Sequence, residues 1–159
     1  MNGKYIAVLS SCNYELAKIK DWIDNNKLDS NVKYLVSYAI IKSCGTIELL
    51  FKTIVFDFLS KNANEEAINY LMKNILDSSC NPSPGQIQRM LEQINSEWAK
   101  SFDEKIKRSS QKGQLKSLVQ LRNSFAHGNE ITASIEDVNE YYDSGKWILL
   151  QLYDVINTV

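Results

Sequence analysis

Histidine is almost absent from this sequence: 159 residues carry one, His127. Cysteines number three, Cys12, Cys44 and Cys80, and no two lie close together in the chain. That scatter, with one imidazole to assist it, gives no zinc site, and no cofactor is expected. An odd cysteine count without a secretory leader points to reduced thiols and a cytoplasmic protein. The N-terminal apolar run, Tyr5 to Leu9, is too short for the core of a signal peptide. The longest apolar stretch is interrupted by Lys42, Glu48, Lys52 and Asp57, so none reaches the roughly 20 residues of a membrane span. An excess of charge of one sign is missing too. The formal net charge is −1 and the sequence pI about 5.9, which rules out a surface that binds nucleic acid everywhere and leaves room only for a local RNA contact.

What the sequence does have is helical periodicity. A chain of this length makes one domain that buries roughly 70% of its unfolded surface, and residues 1–159 are read as that single unit. Leu16, Ile19, Trp22 and Ile23 predict a short amphipathic helix from Cys12 to Asn26, capped by Ser11 or Asn13, with an extended piece before it at Tyr5 to Leu9. Val32 to Leu59 is apolar on most sides and predicts the central helix, in which Gly45 marks a close approach or a kink. Ala67 to Leu76 carries the next helix. Ser78 to Gly85, which holds both prolines, is the clearest loop, and Ser83-Pro84-Gly85-Gln86 reads as a capping box with proline at the first helical position. Ile87, Met90, Leu91, Ile94 and Trp98 form one core stripe after it. Residues 101–113 are charged and predict a mobile connector. Thr132 or Ser134 caps a last helix through Ile156. The expected fold is all-α, an antiparallel up-and-down bundle of about five to six helices.

The chemistry concentrates in Leu121-Arg122-Asn123-Ser124-Phe125-Ala126-His127-Gly128. Leu115, Leu118, Val119, Arg122, Phe125 and Ala126 recur at helical spacing, predicting a helix from about Gln114 to His127 with Phe125 turned inward and Gly128 as its stop. Five residues separate Arg122 from His127, about 140° of rotation and about 7.5 Å of rise on a regular helix. They act together if His127 lies in a fraying last turn, or if two copies of the helix meet in a homodimer. Glu48 sits in the most apolar part of the central helix, where an ionised carboxylate is costly unless paired. Arg122 is a candidate partner, and simple exposure of Glu48 is the other reading. From Lys100 to Arg122 seven basic residues face two acidic ones. Lys107, Arg108, Lys112 and Lys116 are either a solvated face or a phosphate-attracting approach to the motif.

Arg-Asn-x-x-Ala-His-Gly at the end of an amphipathic helix, with a long helix after it, resembles the Arg-x4-6-His signature of HEPN domains. Asn81-Pro82-Ser83-Pro84, the Ile87/Leu91 helix, Trp98, Leu118-Val119 and the Tyr141-Tyr142 helix resemble the RiboL-PSP and MAE-type groups of that superfamily. The resemblance spans about residues 32 to 157. It implies an all-α domain, frequently a metal-independent endoribonuclease, with Arg122 and His127 catalytic and Asn123, Ser124 and Glu48 orienting. It further implies RNA and a second copy of the chain as partners, in a toxin or phage-defence effector with an antitoxin or other defence protein, or else a module that binds RNA, nucleotide or protein without cutting. Asn129 stands where one toxin branch carries a tyrosine, so regulation through such a tyrosine is not implied. The residue types suit the reaction: histidine takes a proton near neutrality, and arginine offers a planar fork to phosphoryl oxygens. On spacing alone, the favoured reading is that Arg122 and His127 bind carboxylates and carbonyls at a helix end.

Overall fold

The computed structural model describes residues 1–158. Helix α1 (Gly3–Asn25) starts well before the expected position, capped by Asn2, whose side chain accepts from the Lys4 amide at 2.7 Å. Tyr5, Leu9, Cys12, Leu16, Ile19 and Ile23 form its buried face at steps of four and three residues. Tyr5 to Leu9 is therefore helical and not extended, because Tyr5 and Leu9 continue that face. Trp22 falls outside it and is 37% exposed. Helix α2 (Val32–Leu59) covers the whole span the sequence predicts. A short α3 (Glu65–Leu71) is prolonged by a π-helical turn, Met72–Leu76.

Helix α4 (Pro84–Ile94) opens on Ser83, which accepts from the Gln86 amide, with Pro84 in the first turn. The reciprocal half of the capping box is not made, since the Ser83 amide donates to Asn81 Oδ1 at 3.1 Å. Trp98 does not share a helix with Ile87 and Leu91. Asn95 is extended (φ −158°, ψ 111°), ends α4, and with its side chain caps α5 (Ser96–Ile106) at the Glu97 and Trp98 amides. That one residue raises the count to seven α-helices among the described residues. The expected mobile connector is also corrected: Phe102 and Ile106 are fully buried, only a short turn at Lys107 and Arg108 follows, and Ser109 caps α6 (Ser110–Ala126) at the Lys112 amide. Helix α7 (Ile135–Asn157) carries a complete capping box between Ser134 and Asp137.

Pairings along the helices give their directions. Tyr5 bonds to Asp57 and Glu15 pairs with Lys42, so α1 and α2 run antiparallel. Lys20 meets Glu136, Lys146 meets Asn13 and Tyr5 packs edge-on against Tyr153, so α1 and α7 do too. Ser144 bonds to Gln114, while Ser124 shares a cavity with Thr132, which sets α6 against α7 in the same way. The result is an all-α, up-and-down bundle of α1, α2, α6 and α7, with α4 and α5 packed against its α6 and α7 side. Ile40, Ile47, Phe51, Leu115, Leu118, Ile148 and Leu152 fill its centre at 0% exposure. No described helix is long and apolar enough to cross a membrane.

Candidate active site

The end of α6 is closed by a Schellman motif: the Gly128 amide donates to Phe125 O at 2.9 Å and the Asn129 amide to Ser124 O at 3.0 Å. Gly128 takes φ +77°, the left-handed conformation that a side chain would strain, so the expected helix stop is in place. His127 is the C-cap (φ −90°, ψ 8°) and its side chain lies in solvent. Arg122 belongs to the last turn but one, with its side chain 41% exposed.

Arg122 is held from two directions. Its Nη2 lies 3.8 Å from Glu48 Oε2 on α2, and its Nη1 donates to Asn123 Oδ1 at 3.2 Å. Glu48 is therefore neither freely exposed nor unpaired. Its other oxygen takes a hydrogen bond from Lys52 Nζ at 2.7 Å, and Lys52 is itself buried, donating also to the Ser78 carbonyl at 2.5 Å. The loop Ser78–Gly85 thus reaches over α2 to cover a lysine that fixes the carboxylate beneath Arg122. Cys44 lies in the same neighbourhood. Burial pushes its thiol up to about 11, an effect that the nearby Arg122 charge partly offsets. A guanidinium anchored by one carboxylate and one amide, with open faces left over, can bind a phosphoryl group without losing its own position.

A sequence model of the RiboL-PSP-HEPN family matches residues 8–158. The chain belongs to that family. No curated protein and no solved structure matches it.

In this RiboL-PSP-HEPN domain the remaining expected site residues separate. Asn123 reaches Arg122, as above, but Ser124 faces away and lines a different cavity with Ser117, Thr132 and Tyr141, towards α7. Lys107 and Arg108 sit in the turn before α6, and Lys112 pairs with Asp103 at 2.9 Å. Fifteen residues of helix, about 22 Å of rise, put Lys112 at the opposite end of α6 from His127. Lys116 is exposed and roughly 240° around the helix from Arg122. Phe125 does not turn inward. It is 39% exposed, on the rim where α6 ends beside Tyr34 and Ser37 of α2.

Sequence reasoning missed Lys52 and Tyr34. A lysine four residues after Glu48 reads as one more solvated helix pair, and only the Ser78 carbonyl, 26 residues further on, makes it a buried one. Gly45 has nothing within 4 Å of where a Cβ would stand, so it serves no close approach inside the chain. Instead it joins Tyr34, Tyr38, Ile41 and Leu49 in an exposed, mostly apolar stripe along α2.

Proposed function

We propose that this domain is a metal-independent endoribonuclease that acts as a homodimer. The observation that carries this reading is the anchored Arg122, which keeps open guanidinium faces five residues before a solvent-exposed His127. In the proposed reaction His127 takes the proton of a ribose 2′-hydroxyl as that oxygen bonds to the adjacent phosphorus. Arg122 stabilises the charge on the phosphorane oxygens. The bond from phosphorus to the 5′-oxygen breaks, and that oxygen receives a proton from His127 of the partner subunit. Products are a 2′,3′-cyclic phosphate and a 5′-hydroxyl. The stripe Tyr38, Ile41, Gly45 and Leu49, beside Glu48 and Arg122 on α2 and α6, supports a second copy as the source of the second imidazole.

A second reading is a module that binds RNA, nucleotide or protein without cutting. It is favoured by the His127 imidazole itself, which makes no hydrogen bond among the described residues that would fix its tautomer. Expression in a bacterial host separates the two. A ribonuclease, whether a toxin held by an antitoxin or a phage-defence effector, arrests growth and is relieved by His127→Ala, with cyclic phosphate ends on the host RNA. A binding module is tolerated in both forms.

A further inference from the structure

A cavity lies where the motif ends, lined by its Phe125 and Gly128. It opens between the start of α2 and the end of α6, holds about 280 Å³, and is lined by Lys33, Tyr34, Phe125, Asn129 and Glu130 among others. That is near the lower end of volumes that take small ligands. Two aromatic side chains remain open there, Tyr34 at 62% and Phe125 at 39% exposure. Lys33 Nζ stands 5.0 Å from the Tyr34 ring centroid, which places a cation at the same site. The Schellman closure of α6 pins the backbone of Asn129, and Glu130, the next residue, lines the same cavity.

We propose that this cavity is a base-binding subsite for an unpaired guanine next to the phosphate that Arg122 engages. Stacking on Tyr34 or Phe125 accepts any base, because every base has a π face. Selection comes from Glu130: a carboxylate only accepts hydrogen bonds, and the N1–H and N2–H of guanine present two adjacent donors to it. Uracil offers one such donor flanked by two acceptors. Lys33 supplies a contact for a flanking phosphate. Gly128, the residue after His127, lines the cavity with Phe125, so a base held there lies at the end of α6 that carries the motif. The subsite rests on the reading of the chain as an RNA-directed domain, and it does not require that the RNA be cut.

The test uses the full chain and labelled uridine hexamers, with and without one central guanosine, 2′-O-methylated so that they cannot be cleaved. Anisotropy should show the guanosine hexamer bound at least fivefold tighter. Tyr34→Leu and Phe125→Leu, both exposed positions whose folding is checked by thermal melts, should each weaken that binding about tenfold. Glu130→Gln should erase the guanosine preference and leave the uridine hexamer unaffected. Equal affinity for the two hexamers, or no binding of either, overturns the subsite, as does a preference that survives Glu130→Gln. So does a result in which the leucine variants turn a dimer into monomers while RNA binding is unchanged, which would assign this face to contact between copies. Guanosine preference without any cleavage of ordinary RNA would remove the catalytic reading alone, and cleavage without base preference would remove the subsite alone.

Discussion

At the scale of single residues, Glu48 serves two cations at once. Lys52 is 6% exposed and has the Glu48 carboxylate and the Ser78 carbonyl as acceptors, while Arg122 shares the same carboxylate from the solvent side. Removing the negative charge leaves a buried ammonium with one neutral partner. Glu48→Gln should therefore cost about 1–3 kcal/mol of stability in urea unfolding, less than the loss of a fully buried pair because Glu48 is partly solvated. An unchanged unfolding midpoint would mean that Lys52 relaxes to water. Cys44 gives a prediction in the alkaline range. Its folded thiol is raised from 9.0 to about 11, chiefly by burial. Below pH 9 it is protonated in both states. Between about 9 and 11 the unfolded chain releases a proton that the folded chain keeps, so stability falls as pH rises. The stability gap between the wild type and Cys44→Ala should shrink by on the order of 2 kcal/mol from pH 8 to pH 11 in reducing buffer.

At the scale of helices, two glycines make opposite predictions. A Cβ at Gly145 of α7 would stand 2.9 Å from the fully buried Ile47 side chain of α2 and 3.5 Å from Leu115. Gly145→Ala should lower stability by about 1–3 kcal/mol through overpacking. Gly113, exposed in α6 with nothing within 4 Å, should gain about 0.5–1 kcal/mol on the same change. Thermal melts of the two variants check both signs. The helices differ in how plainly the sequence announced them. Helix α2 was legible because apolar residues recur on most of its sides from Val32 to Leu59 and no proline interrupts it. The start of α4 was legible from Ser83 and Pro84. The break at Asn95 was not, since Ile94 and Trp98 keep a four-residue step across it, and only the Asn95 side chain on two amides betrays a cap. Lys105, Lys107 and Arg108 disguised the end of α5, where burial of Phe102 and Ile106 outweighs the charge around them. In the site, Arg122 with Glu48 could be read because a carboxylate in an apolar run needs a partner. Phe125 could not, since its helical spacing says which side it takes but not that the bundle ends there.

At the scale of the whole molecule, the proposed homodimer would join two copies along the open stripe on α2 and supply the second imidazole that a single histidine per chain lacks. Tyr38, Ile41, Gly45 and Leu49 follow one another at three- and four-residue steps and remain solvent-exposed. Gly45→Arg should leave the fold intact, because nothing within 4 Å of a Cβ opposes it inside the chain, and should convert a dimer into monomers in sedimentation. Monomeric wild-type protein at high concentration would refute the shared site. Metal-independent cleavage by Arg122 and His127 is tested most directly on a labelled mixed RNA pool with the purified protein in EDTA, beside Arg122→Ala and His127→Ala prepared in the same way. The proposed mechanism requires cleavage by the wild type, ends carrying 2′,3′-cyclic phosphate, and a loss of at least a hundredfold in each variant. Products with 3′-hydroxyl ends, or cleavage equal in all three proteins, would contradict it.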